Sequence, residues 1–212
     1  GARGVLISPG RAPAPPPPAP VPARHYQIGR LPFSMDGDSP FAEALAGARY
    51  VVVAVPSHAL RTVMHGAARH MPADSVIVSA TKGIEAGSLL RMSEVIRQEV
   101  GARQDIVVLS GPSFAAEVAR ECPTALVAAS TSASAVTAVQ DEFRSAYFRL
   151  YGSDDVIGVE LGAALKNIVA IGAGVVESME LGHNAMSALI TRGLAEISRL
   201  ATAMGGRRET RA

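Results

Sequence analysis

From Tyr50 onward, short and wholly apolar runs alternate with amphipathic stretches. The run RYVVVAVPS is β-branched and ends at proline, which predicts a buried strand, and Ser57 is placed to cap a helix running to about His70. SVIVSA (Ser75 to Ala80) predicts a second strand. After the loop TKGIEAGS, Ser88 is placed to cap the helix LLRMSEVIRQEV. DIVVLS predicts a third strand, followed by GPS and a helix FAAEVAREC. TALVAAS predicts a fourth strand, a helix follows over about Ala135 to Ser145, and YFRLYGS closes the series as a last strand. Strands apolar throughout, alternating with helices, predict an α/β fold with a mainly parallel sheet covered on both faces. Ligands of such sheets bind at the carboxyl ends of strands. Three loops are predicted there: Val55-Pro56-Ser57-His58, Thr81-Lys82-Gly83 and Ser110-Gly111-Pro112-Ser113.

Past Gly158 the period changes. Leu161, Leu165, Ile168, Gly172, Val175 and Met179 share one face of a helix predicted over Val159 to Met179. Its other faces are also apolar or small (Gly162, Val169, Ala173, Val176), so it is expected to be buried on most sides. A second helix is predicted from about Ala185 to Met204, with Met186, Ile190, Gly193, Ile197 and Met204 inward. Arg192 and Glu196 can pair along its side, and Gly205-Gly206 ends it. Two successive helices after an α/β region read as the start of a helical domain.

The N-terminal segment has another texture. Eight of the 14 prolines fall in the first 22 residues, and proline removes backbone donors, so this segment is expected not to pack. The division expected is therefore 1–40 proline-rich and disordered, 41–155 an α/β domain, and 156–212 the first helices of a second domain.

Composition narrows the classes. At 48% hydrophobic the chain can bury a real core, and a net charge of +1 gives no electrostatic case for nucleic acid or an anionic membrane. Cys122 is the single cysteine, so no internal disulfide framework forms and no Cys/His spacing predicts a metal site; a cytoplasmic location is expected. The longest uncharged stretch, Cys122 to Gln140, holds a proline and many Ser and Thr, so no membrane span is expected. No basic segment precedes an apolar run at the start, so no secretory signal is read; the chain opens with Gly rather than Met and reads as a fragment or processed product.

Lys166 is the only charge between Glu160 and Glu177. Burial penalises an ammonium and turns a lysine into a usable proton donor and acceptor near neutral pH; the bland alternative is a lysine whose head reaches water. Lys82 follows a predicted strand and either points into the ligand crevice or belongs to an ordinary surface loop. Gly111-Pro112-Ser113 opens a helix, either offering backbone N–H groups to an anion or cofactor, or forming a plain turn with Ser113 as cap. NIVAIGAGVVE imitates a strand entering G-x-G-x-x-G, but the third glycine position is Glu177, so Gly172 and Gly174 read as close-packing helix glycines.

VVVAVPSH, SATKGIE, LSGPSFAAEVA, CPTALVAAS, DVIGVELGAALKNIVAIGAG and NAMSALITRGLAEISRL, in this order and spacing, resemble bacterial NAD(P)-dependent glycerol-3-phosphate dehydrogenase over about Phe41 to Arg208. The resemblance implies a Rossmann-like dinucleotide domain followed by an all-helical substrate domain. It implies interconversion of sn-glycerol 3-phosphate and dihydroxyacetone phosphate with NAD or NADP, supplying the glycerophospholipid backbone. It implies that Lys166 accepts the proton in alcohol oxidation and donates it in reverse. Lys82 would touch both substrate and nicotinamide; Gly111, Ser113 and Asn167 would lie at the substrate, and Ala115 at the cofactor. A small phosphate substrate is the implied partner, with a homodimer compatible.

Two departures stand out. The family's opening strand and G-x-G-x-x-G are not found, with proline-rich sequence in their place, and its later Asp and Ser-Arg-Asn run would fall beyond Ala212. The expectation is therefore an incomplete site that binds NAD(P)H poorly by itself. The alternatives are a related superfamily dehydrogenase acting on another hydroxy acid or sugar phosphate, and a non-catalytic product.

Overall fold

The structure is a computed structural model, and it describes residues 4–7 and 40–210. The elements run β1 (Gly4–Ile7), α1 (Pro40–Leu45), β2 (Tyr50–Val53), α2 (Ser57–Ala68), β3 (Val76–Ser79), α3 (Met92–Val100), β4 (Ile106–Ser110), α4 (Ala115–Val118), β5 (Thr124–Ala129), α5 (Ala133–Phe143), β6 (Phe148–Ser153), α6 (Val156–Ser178) and α7 (Gly182–Ala203). Two compact units divide them. One takes the described residues up to Thr81 plus Glu85–Val107; the other takes Lys82–Ile84 and the chain from Val108 on. The expected α/β fold is present.

In the first unit β1, β2 and β3 are parallel neighbours, with Gly4 opposite Tyr50 and Tyr50 opposite Val76. Gly4–Ile7 thus forms a strand within the segment expected not to pack; the rest of that proline-rich expectation lies outside the described residues. Fully buried Val51, Val53 and Ile77 meet Leu60 and Met64 of α2 and Val95 and Ile96 of α3. The spacing of Leu60, Met64 and Ala67 puts all three on one helical face. Truncating Met64 to alanine in such a core costs about 2–5 kcal/mol.

Both serine caps expected here are replaced. Pro56 is the N-cap of α2, its carbonyl accepting from the Ala59 N–H at 2.9 Å, and Ser57 is already helical. α3 begins at Met92, not near Ser88, because Gly87 and Leu89 take positive φ (89° and 58°) and break the chain direction. Arg91 does the capping: its N–H donates to the Glu94 carboxylate at 3.0 Å, and its guanidinium pairs with the same group at 2.9 Å. A cluster of charges crosses this unit. Arg61 on α2 grips Glu85 with two N–H groups at 2.8 and 2.7 Å and reaches Glu99 on α3 at 2.6 Å.

In the second unit β4 and β5 are antiparallel and β5 and β6 parallel. A parallel crossover is usually built on a full helix, and none is present here: α4 has only four residues, so the expected FAAEVAREC helix shrinks to AAEV. α5 starts at Ser132, whose hydroxyl accepts from the Ala135 N–H at 3.4 Å. α6 starts at Asp155 and buries Val159, Leu161 and Ala163; Val159 meets Val108 and Ala129 in the core.

Beyond Ala163 the expected burial of α6 fails: Ile168, Ile171, Val175 and Met179 are exposed, and α7 is the main helix packed against α6 among the described residues. Ile190 of α7 and Met204 at its C-terminal cap, expected inward, are exposed as well. The helices do approach closely at two glycines. A side chain at Gly172 would meet Leu189 at 3.2 Å, and one at Gly193 would meet Val169 at 2.6 Å, while Gly174 faces open space and is no packing glycine. Arg192 and Glu196 pair at 3.0 Å as expected. α6 is also the one described helix long and apolar enough to cross a membrane, a property the sequence reading did not note; only its first turns are buried.

Candidate active site

The second unit gathers the chemistry. β4 ends at Ser110 and the chain turns at Gly111 with φ of 135°, a conformation that L side chains rarely adopt. The space is closed too: a Cβ there would lie 2.7 Å from Leu126 Cδ2 and 3.1 Å from the Ala125 carbonyl oxygen. Glycine is therefore required, and it leaves the Gly111 carbonyl free to accept from the Lys82 ammonium at 3.1 Å. Lys82 is half-buried. Its pKa is pushed below the usual lysine value, first by burial and second by the positive charge of Lys166.

Lys166 sits on α6 just past the buried turns, half-buried, with Asn167 exposed beside it. The strongest expectation for Lys166, deep burial in an apolar helix, is thus only half met. Lys82 and Lys166 are nonetheless near enough for one charge to act on the other. They are also the only two lysines among the 20 basic residues of the chain. Arginine keeps its proton at every accessible pH, so among the lysines and arginines only these two positions can give one up.

Other expected residues are less engaged. Ser113 is half-buried and does not cap α4, whose N-cap is Phe114; Ala115 is exposed. Neither they nor Asn167 enter the Lys82–Gly111 bond. Among the described residues no group of three His, Cys, Asp or Glu could hold a metal ion.

Asp155 was missed in the sequence, although an Asp directly before an apolar helical period is a start signal. Its Oδ1 accepts from the Gly158 N–H at 2.9 Å, and its Oδ2 accepts from the Arg207 N–H at 2.8 Å and from the Thr210 hydroxyl. Burial alone would raise its pKa. The bonds from Thr210, Gly158 and Arg207 outweigh that and hold it below the ordinary aspartate value. Asp155 thereby fixes the start of the helix that carries Lys166.

A lysine ammonium has three donors, and Lys82 spends one on Gly111. Two half-buried amines with overlapping fields attract an anionic or polarised oxygen, and burial weakens screening. Such a pair can hold a carbonyl or alkoxide oxygen and exchange a proton with it.

Comparison with known proteins identifies the family. The family model described as the NAD-dependent glycerol-3-phosphate dehydrogenase N-terminus matches residues 24–136, and that for the C-terminus matches residues 155–212. A glycerol-3-phosphate dehydrogenase [NAD(P)+] of Bacillus velezensis is 49% identical over 178 residues, covering 83% of this chain and 52% of its own length. One from Frankia casuarinae is 52% identical over 177 residues, covering 83% and 53%. The crystal structure of a glycerol-3-phosphate dehydrogenase from Coxiella burnetii superposes with a TM-score of 0.78 at 36% identity, over 91% of this chain and 56% of that one. The chain spans about half the length of the curated relatives it matches.

Proposed function

The chain belongs to the NAD-dependent glycerol-3-phosphate dehydrogenase family, and from that premise we propose that it carries the proton-transfer half of an oxidoreductase interconverting sn-glycerol 3-phosphate and dihydroxyacetone phosphate with NAD(H) or NADP(H). The observation that carries the reading is the meeting of the chain's only two lysines in one unit, one of them seated on Gly111. Bound NAD(P) supplies the hydride chemistry. The side chains do the rest. Lys166 takes the hydroxyl proton as the alcohol is oxidised and returns it to the carbonyl oxygen in reduction. Lys82, with two donors left, reaches the reacting oxygen and the nicotinamide edge. Gly111, Ser113 and Asn167 line the substrate, and Ala115 lies toward the cofactor. On this reading 41–155 serves the cofactor and 156–212 begins the substrate domain, the substrate being a small phosphate in the cytoplasm.

The test is oxidation of NADH and of NADPH with dihydroxyacetone phosphate, by this chain and by a form extended with the flanking residues of its relatives. In whichever form turns over, Lys166→Ala lowers kcat by about 10²–10⁴-fold. Unchanged kcat in Lys166→Ala, or no turnover in either form, overturns the proposal.

A further inference from the structure

A cavity of about 390 Å³ lies between the end of α5 and the strand β6, wholly within the unit that runs from Val108 on. Its frame is hydrogen-bonded. Gln140 Nε2 donates to the Leu150 carbonyl at 2.9 Å and ties helix to strand. The Ser145 N–H donates to the Phe148 carbonyl at 2.9 Å, and the Phe148 N–H donates to Ser145 Oγ at 3.1 Å, so the turn that joins them is closed on itself. Buried Leu150 and half-buried Phe148 supply the apolar wall. β5 stands between this cavity and β4, and no lining residue belongs to the Lys82–Gly111 site.

We propose that this cavity binds a small organic phosphate that carries an aromatic ring, the phosphate on Arg144 and Arg149 and the ring against Tyr151. Charge favours an anion: two guanidiniums against the single carboxylate of Asp141 leave the lining at +1. Arg144 is the C-cap of α5, where a helix end favours a cation. It meets Asp141 only at 3.5 Å, with both side chains exposed, and an ion pair of that kind is weak enough to yield to a better acceptor. Arg149 is exposed and has no ion-pair partner among the described residues. A guanidinium fork matches two phosphate oxygens at once. Ser145 Oγ accepts from Phe148 and keeps its own hydrogen to donate. Tyr151 is 55% exposed on the rim and offers a ring face to a flat apolar body. The volume falls in the range of small-molecule sites. The site does not depend on the proposed dehydrogenase reading.

The probe is phenyl phosphate, titrated at low salt into the whole 212-residue chain and followed by ¹H–¹⁵N NMR. Saturable shifts are expected at the amides of 140–145 and 148–151, with phenyl phosphate bound about threefold or more tighter than inorganic phosphate. Arg149→Gln weakens binding by about tenfold or more. Asp141→Asn removes the competing carboxylate and tightens it by about two- to fivefold. Both residues are exposed, so neither substitution touches the core. Tyr151→Ala brings phenyl phosphate to the level of inorganic phosphate. Arg192→Gln, on α7, leaves binding unchanged and separates a specific grip from general attraction to a basic surface. No saturable shift at these amides overturns the proposal, as does an Arg149→Gln protein that binds as well as the parent or an equal loss in Arg192→Gln. Equal affinity for phenyl phosphate and inorganic phosphate overturns the class of ligand named. All of these readouts are binding, so a failed dehydrogenase assay leaves them interpretable.

Discussion

A methyl group at position 111 would meet Leu126 Cδ2 at 2.7 Å and force an alanine into a φ of 135°. Strain in this region costs about 1–3 kcal/mol, and overpacking costs a similar amount. Gly111→Ala is therefore expected to destabilise the protein by about 2–4 kcal/mol in urea denaturation and to shift the carbonyl on which Lys82 sits. An unchanged midpoint would contradict the reading of Gly111 as an obligatory glycine. At this scale the sequence was readable where a residue clashed with its surroundings. Lys166 was a lone charge in an apolar helix, and Lys82 and Gly111 each followed a strand. Arg61 and Glu85 gave no such signal. They lie 24 positions apart, one on α2 and one in the loop between β3 and α3, and no local period joins them. Ser57, Ser88 and Ser113 misled for the opposite reason. Each is a good cap in isolation, but tertiary geometry chose Pro56, Arg91 and Phe114.

Elements declared themselves by period, and their ends by chemistry that period does not show. α6 was expected from Val159, but the Asp155 carboxylate starts it three residues earlier by accepting from Gly158. The same carboxylate ties down Arg207 and Thr210 after α7, so one side chain joins the beginning of the helix pair to its end. Removing it in Asp155→Ala leaves three donors without their acceptor, and the expected loss is about 1–3 kcal/mol in thermal unfolding followed by circular dichroism. Asp155→Asn keeps an acceptor for the Gly158 N–H and should recover part of that loss. Equal destabilisation by the two variants would mean that charge, not the cap, does the work. The mainly parallel sheet was expected, but the antiparallel step from β4 to β5 was not legible, since the pattern of FAAEVAREC does not show that the helix stops after four residues.

For the whole molecule, the alternation of apolar strands and amphipathic helices was enough to give the α/β class, because burial on two faces leaves few other patterns. The depth of burial was not legible. Residues such as Ile171 and Val175 look like core, yet they are exposed. Charge pairing was also hidden, and it governs how both units respond to acid. Glu85 is held down to about 2, mainly by the Arg61 and Ser88 bonds, against an ordinary value of 4.5. Glu99, Asp154, Asp155 and Glu196 are lowered too, by hydrogen bonds and ion pairs that outweigh burial wherever burial opposes them. A carboxylate depressed in the folded state binds fewer protons there than in the unfolded chain. Its contribution is full above the ordinary value and disappears as pH falls through the folded one. All five act in the same direction, so urea midpoints should be level from about pH 5 to neutral pH and fall steadily below that range, toward about pH 2. Glu85→Gln should flatten the most acidic part of that curve, because a neutral amide has no proton to gain. A midpoint that rises between pH 5 and pH 3, or an acid limb unaltered by Glu85→Gln, would show that these pairs do not hold the fold in solution.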